Sequence, residues 1–154
     1  MKIEDLGYNA YFKKKKDELG FGDFLVARVI AEFKGLYRIK DGEGEYMAKV
    51  TGKRMFEAVS REDYPAVGDW VVMCKADDRL AVIHGILPRV TVIKRIYGGN
   101  IQIIATNIDV AFVVESVDRD YNLNRFECYF AIAQNGGAKR QVRPICKGRY
   151  CRWE

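Results

Sequence analysis

The chain has 154 residues, with 49% apolar and 12% aromatic side chains and 26 Lys/Arg against 21 Asp/Glu; that is enough to pack one domain with an appendage, and it argues against a disordered chain. No apolar stretch is long enough to span a bilayer, and the first twenty residues carry acids and lysines where a signal peptide needs its apolar centre, so the sequence predicts a soluble, cytoplasmic chain with no membrane partner. The net charge of +5 is uneven: residues 139–154 hold six bases and one acid, leaving twenty of each sign in 1–138, where 24–96 is about +3 and 97–138 about −3, so a mild basic bias falls on the middle of the chain.

Residues 1–22 read as an N-terminal helical segment, with Leu6, Tyr8, Phe12 and Leu19 as its packing residues and the run 13–16 of four lysines as a solvated face. From Phe24 the pattern changes to short strands with turn punctuation. "FLVARVIAEF" is followed by Lys34-Gly35 and "LYRIK", and "DGEG" turns into "EYMAKV". A helical turn is expected over 54–59, then "AVGDWVVMCKA" and "LAVIHGILP" separated by Asp77-Asp78-Arg79. "TVIKRIY" adds a further strand, and Gly98-Gly99 reads as a linker. Five strands with a helical piece between the third and fourth predict an OB-fold barrel over 23–97, with an SH3-like barrel as the alternative on strand pattern alone. Trp70 and Tyr46 fall at core positions, and Asp69 in "VGDW" supports a turn through its side chain.

Residues 100–138 have a different character. The unbroken apolar run 110–114 is the pattern of a strand covered on both faces, and Asn122 is the N-cap of a helix whose Leu123, Phe126, Phe130 and Ala133 share one face. Asn135-Gly136-Gly137 stops it. A strand followed by a helix is the opening of an α/β nucleotide-binding domain, and only seventeen residues follow Gly137.

The four cysteines do not form a metal site. Cys74 and Cys128 fall within predicted elements and are expected to be buried thiols, while Cys146-x4-Cys151 lacks a second pair or a nearby histidine. His84, the only histidine, lies in a strand as a packing residue, so neither a Ser-His-Asp nor a Cys-His arrangement is supported.

Four stretches together resemble one family, the ribosome-small-subunit-dependent GTPases, which are the circularly permuted GTPases of bacterial 30S maturation. "SREDYPAVGDWV" (60–71) is similar to the family's fourth barrel strand and its approach, and "IHGILPRVTVIKR" (83–95) to its exit from the barrel. "QIIATNIDVAFVVESV" (102–117) resembles the first strand of the GTPase domain, and "DYNLNRFECYFAIAQNGGAK" (120–139) the helix after it. The resemblance covers about residues 4–139. It implies a mainly β chain: a five-stranded OB-fold barrel with a short N-terminal helix, followed by an incomplete α/β start of a GTPase domain, 100–138, and a basic tail, 139–154. For intact relatives it implies GTP hydrolysis during small-subunit maturation, with GTP, Mg²⁺ and a structural zinc as cofactors.

The family's nucleotide motifs do not occur in this sequence. A phosphate loop needs G-x-x-x-x-G-K-[S/T], so that glycine amides wrap the phosphates while Lys and a hydroxyl handle charge and metal. "TGKRM" offers Gly52-Lys53, but Met47 stands where the first glycine belongs and Arg54 replaces the hydroxyl. "TNID" (106–109) is not Asn-Lys-x-Asp, and no other stretch is. No catalytic, nucleotide-binding or metal residue is therefore assigned, and no cofactor is expected in this chain. The tail reads as out-of-frame translation after a deletion or frameshift, with an RNA-gripping arm as the alternative. Without a further strand, 109–115 is expected to have an unpaired edge, so that 100–154 folds back on the barrel, self-associates or stays partly mobile.

The barrel is the part able to act alone, on the small ribosomal subunit and its 16S rRNA. OB-folds bind RNA across strands two and three with basic side chains and aromatic faces. Candidates there are Arg28, Lys34, Tyr37 as the stacking residue, Arg38 and Lys49. Lys53, Arg54 and Arg61 follow, then Arg89, Lys94 and Arg95 near the exit. For any one of these bases the alternative is an ordinary solvated side chain. Three functions stand: the RNA-contacting N-terminal part of a ribosome-assembly GTPase, a free-standing OB module, and one half of a split GTPase.

Overall fold

The computed structural model describes residues 1–116, 122–137 and 143–147, without the side chains of Lys53, Arg54, Glu57, Tyr97, 114–116 and 143–147. Strands β1 (Leu25–Phe33), β2 (Leu36–Lys40), β3 (Glu45–Val50), β4 (Trp70–Asp77) and β5 (Leu80–Ile86) close into a barrel in the order β1-β2-β3-β5-β4. Strand β5 runs parallel to β3 and antiparallel to β4, and β4 returns to β1. This is the OB arrangement. β1 pairs with both β2 and β4, and a register shift between Val29 and Ala31 bends it from one sheet to the other.

Two apolar clusters hold the barrel. Inside, Ala27, Val29, Tyr37, Ile39, Tyr46, Ala48, Val71, Met73, Ala81 and Ile83 are buried. Because side chains alternate along a strand, Trp70 and Val72 of the same β4 point outward. They are buried there by the N-terminal segment, a 3₁₀ turn over Ile3–Leu6 and helix α1 (Ala10–Glu18). The Trp70 ring meets Tyr8 edge-on at 5.0 Å and Phe12 at 5.8 Å. Asn9 caps α1, its side chain accepting from the Tyr11 and Phe12 amides. Leu6, Tyr8 and Phe12 pack as expected, but Leu19 follows the helix and is exposed.

The segment after the barrel departs from the expected linker. β6 (Val92–Tyr97) and β7 (Asn100–Thr106) form an antiparallel hairpin, with Gly98 and Gly99 as its two-residue turn at φ +59° and +78°. Two successive positive φ values make the tight turn that suits strand twist, and glycine meets both at little cost. The hairpin therefore crosses the boundary expected between 97 and 100. β8 begins only at Phe112 (Phe112–Ser116) and pairs in parallel with β9 (Arg143–Lys147), so the edge expected to be unpaired has a partner from the basic segment. The apolar count of "RPICK" is too low for a covered strand, which is why composition does not mark it.

Helix α3 (Leu123–Asn135) starts at Asn122, whose side chain accepts from the Arg125 amide at 3.1 Å, and ends at Gly136-Gly137. The expected face is covered only in part. Ala133 is buried and Phe126 half-buried, while Leu123 and Phe130 are exposed; Ile132 and the exposed Tyr129 line a groove against the strands. The docking is set at the C-terminal end: Val92 N–H donates to the Gly136 carbonyl at 2.9 Å, and a Cβ on Gly136 would stand 2.9 Å from both that strand's Val92 oxygen and Ile93 Cγ1. Apolar spacing does not encode this close contact at a glycine.

Cys74 and Cys128, expected to be buried, are both exposed. Cys74 sits past the point where β4 leaves the core, since Trp70 to Met73 are buried and the strand's second half is exposed. His84 packs on Phe24, ring centroids 4.7 Å apart, in line with a strand packing residue.

Candidate nucleic-acid interface

The outward face of β2 and β3 follows from register. Tyr37 and Ile39 point into the barrel, so Leu36 and Arg38 point out. On β3, Tyr46 and Ala48 point in, so Met47 and Lys49 point out. Arg38 pairs across the strands with Met47, and Tyr37 with Ala48, which sets Lys49 opposite Leu36. Lys34 stands at the β1–β2 turn, next to glycine at φ +74°. Arg38, Lys49 and Lys34 are exposed and make no ion pair among the described residues. Three of the candidate bases thus share one end of one face.

The other candidates are placed differently. Tyr37, expected to stack on a base, is 2% exposed within the barrel core; burial raises its hydroxyl pKa, with Tyr64 and Asp69 adding to it. Its ring faces the interior because β2 alternates and Arg38 takes the outward position. Arg28, on the barrel's outer side with Trp70, is half-buried under the N-terminal segment. It donates to the Leu6 carbonyl and, at 2.8 Å, to the Asn107 carbonyl, and its guanidinium lies 5.7 Å from the Trp70 ring. Burial pulls its pKa down, against the opposing pull of Asp109. Arg28 therefore ties the N-terminal segment, the barrel and the residues after β7 together.

Arg89 is the centre of a second buried tie. Its Nε and Nη2 donate to the two carboxylate oxygens of Asp69 at 2.8 and 2.7 Å, and Nη1 and Nη2 donate to the Glu62 and Tyr64 carbonyls at 2.8 and 2.9 Å. Asp69 is 0% exposed and also accepts from the Ala66 amide at 2.8 Å and the Thr106 hydroxyl at 2.6 Å. The Ala66 bond is the expected turn support; the bonds to Arg89 and Thr106 extend it into a bridge between barrel and hairpin. Gly68, at φ +96°, brings its backbone so close to Thr106 that a Cβ would lie 2.0 Å from that carbonyl oxygen. Asn107, at φ +51°, completes the joint by donating to the Gly68 carbonyl and accepting from the Val90 amide. The stretch that imitates a guanine motif by eye is a structural knot.

Arg61 is paired with Glu32 and lies 5.7 Å from the Tyr64 ring. Lys94 pairs with Glu62 at 2.9 Å, and Arg95 donates to Gln102 at 3.0 Å across the β6–β7 hairpin. The side chains of Lys53 and Arg54 lie outside those described. Sequence reasoning passes over the most exposed apolar residues at this end: Phe56 is 94% and Val59 96% exposed. Their only mark in the sequence is an apolar pair within the helical turn expected over 54–59.

The residues do not fit a phosphate site. Gly52-Lys53 opens α2 (Gly52–Glu57), and Met47 is a β3 ladder residue, so this stretch is a strand running into a helix without the glycine-lined loop that phosphates need. Among the described residues no group of three or more His, Cys, Asp or Glu is arranged to hold a metal, and no helix is long and apolar enough to cross a membrane.

No family model matches the chain, but individual proteins do. It is 35% identical over 154 residues to the small ribosomal subunit biogenesis GTPase RsgA of Opitutus terrae, a match covering 92% of this chain and 42% of that protein. It is 40% identical over 116 residues to RsgA 2 of Lactiplantibacillus plantarum, covering 74% of this chain and 33% of that one. Among solved structures it resembles YloQ, a circularly permuted GTPase, with a TM-score of 0.52 at 18% identity over 80% of this chain and 39% of the other. YjeQ from Thermotoga maritima gives 0.54 at 16% identity, over 79% and 39%. The chain spans about two fifths or less of the length of these relatives, and it matches their N-terminal portion.

Proposed function

We propose, for a chain that belongs to the small ribosomal subunit biogenesis GTPase family and corresponds to the N-terminal portion of its members, that its barrel is the RNA-contacting part, acting on the small ribosomal subunit through 16S rRNA in the cytoplasm. The observation that carries this reading is the outward face of β2 and β3, where Arg38, Lys49 and Lys34 are exposed and without ion pairs among the described residues. Exposed cations that no acid neutralises keep their full attraction for phosphate, and their counterions are released on binding. Arg28 and Arg89 fall outside the interface, because their guanidinium groups already bond to the protein's own carbonyls and, for Arg89, a carboxylate.

In this proposal the chain binds RNA and not GTP. Supporting it, Gly52-Lys53, the stretch nearest to a phosphate loop, lacks the first glycine and the hydroxyl and starts a helix, and no Asn-Lys-x-Asp occurs. Incubation of the purified chain with small or large ribosomal subunits, followed by pelleting, tests both halves. The expected result is co-pelleting with small subunits only, reduced by Arg38→Ala/Lys49→Ala, with no retention of a labelled GTP analogue. Equal pelleting by the double variant overturns the interface, and tight analogue binding overturns the non-catalytic half.

A second reading is self-association through 100–138. A groove of about 490 Å³ lined by Ile93, Ile104, Ile108, Phe112, Tyr129 and Ile132 favours it, since these side chains are apolar and the groove is open to solvent. Sedimentation equilibrium decides: a concentration-dependent dimer that Phe112→Ser dissociates supports it, and a monomer across the accessible range removes it.

A further inference from the structure

The end of the barrel where β1 turns into β2 and β3 runs into α2 carries apolar side chains that nothing covers. Phe56 and Val59 are almost fully exposed, and Met55 of α2 and Phe33 of the β1–β2 turn are about half exposed. Scattered single apolar residues on a surface need no explanation. These are gathered. Phe33 pairs with Leu36 across the turn, and Leu36 stands opposite Lys49. Glu32, the neighbour of Phe33, is ion-paired with Arg61, and the Tyr64 hydroxyl donates to the Met55 carbonyl at 3.4 Å. Strand and helix rises keep the Cα atoms of Lys49 and Phe56 within about 16 Å of each other.

Among the described side chains, the free charges around this cluster are basic. Lys34 and Lys49 are exposed without ion pairs among the described residues. Glu32 is neutralised by Arg61, and the Asp63 carboxylate is turned back onto the Val59 and Ser60 amides and the Ser60 hydroxyl. An exposed aromatic ring at the same end as uncompensated cations is suited to a base with its flanking phosphates. The core of a protein–protein contact is depleted of lysine, and an interfacial lipid anchor presents a longer apolar face than a six-residue helix has.

We propose that this end of the barrel stacks an unpaired base of single-stranded RNA on the Phe56 ring, with Met55 and Val59 beside it and Lys34 and Lys49 on the adjoining phosphates. The proposal rests on the RNA-binding reading above and adds a preference for unpaired strands, which the basic face alone does not supply.

The test compares a labelled twelve-nucleotide oligo(A) with the same strand in an oligo(A)–oligo(U) duplex, by fluorescence anisotropy on the full chain. Phe56→Ala is expected to weaken single-strand binding by about 5- to 100-fold, the range seen for losing one stacking side chain, and to leave duplex binding and the salt slope unchanged. Phe56→Tyr retains the ring and is expected to retain affinity, and Val59→Ser gives a smaller loss. Melting curves of the variants should superimpose on the parent, because these side chains bury almost nothing. Unchanged single-strand binding by Phe56→Ala, or equal weakening on both RNAs, overturns the stacking proposal while leaving the basic face standing. Failure of the parent to bind either RNA overturns both. Binding to phosphatidylglycerol vesicles that Phe56→Ala abolishes, with RNA binding untouched, assigns the cluster to a lipid surface and overturns the proposal.

Discussion

Replacing Arg89 with methionine keeps an unbranched stem and removes the guanidinium with its charge and donors. Asp69 would then be a carboxylate at 0% exposure, deprived of two charge-assisted bonds and retaining only the Ala66 amide and Thr106 hydroxyl. The Glu62 and Tyr64 carbonyls lose their donors as well. Removing one partner of a buried pair costs about 3–5 kcal/mol, chiefly from the uncompensated charge left behind. Arg89 retains 15% side-chain exposure, so water offsets part of this and the lower end, about 3 kcal/mol, applies. For a domain of this size that lowers Tm by about 6–12 °C. Lys94→Met is the matched control, since its pair with Glu62 is exposed on both sides and is worth about 1 kcal/mol or less. Thermal melts followed by circular dichroism measure both, and Asp69→Asn with Arg89→Met closes a double-mutant cycle whose coupling should exceed about 1 kcal/mol. An Arg89→Met melt within 2 °C of the parent (a shift of about 1 kcal/mol or less), or additive cycle energies, would refute the claim that this pair joins barrel to hairpin.

Gly68→Ala is expected to cost about 3 kcal/mol or more, because it combines a positive φ with a Cβ driven into the Thr106 carbonyl; Gly35→Ala, which has a positive φ and open space, should cost only about 1–2 kcal/mol in the same urea titration. Gly136→Ala has an ordinary φ but presses on Ile93 and Val92, so amide exchange should accelerate in α3 and β6 and stay unchanged in β2 and β3; uniform acceleration contradicts local docking. Backbone donation from Ser60 and Val59 holds the Asp63 carboxyl below its ordinary 3.8. The folded value is the lower one, so the stabilisation of this 3₁₀ turn is present above 3.8 and is lost as pH falls through the folded value. A carboxyl NMR titration of Asp63 with its midpoint at or above the ordinary value contradicts the assignment.

The barrel is legible in the sequence because its strands repeat with a period of two and are separated by glycine and acidic turns, so inside and outside follow from each tripeptide. "LYRIK" shows how far this goes: alternation alone sets Tyr37 and Arg38 on opposite faces, and the basic neighbour is the one left outside. The misplacement of Tyr37 comes from weighing residue type over strand parity. What the sequence does not carry is contact between distant segments. The Asp69–Arg89–Thr106 bridge joins residues 20 and 37 positions apart, and no local pattern announces it. The Gly98-Gly99 hairpin reads as a linker because a glycine pair marks both, and only the cross-strand partners distinguish them. The close approach of Gly136 to β6 leaves no mark in the apolar spacing of α3. Phe56 carries no signal of its exposure, since burial is the usual fate of phenylalanine.

The central claim is that the outward face of β2 and β3 holds RNA through cations that the protein does not itself neutralise. The most direct test is the affinity of the full chain for a single-stranded RNA across a series of salt concentrations, for the parent, Arg38→Ala and Lys49→Ala. Each substitution is predicted to weaken binding and to reduce the slope of log K against log salt by about 0.7 for every phosphate that is no longer neutralised. Slopes and affinities unchanged in both variants would contradict the account and move the interface elsewhere on the molecule.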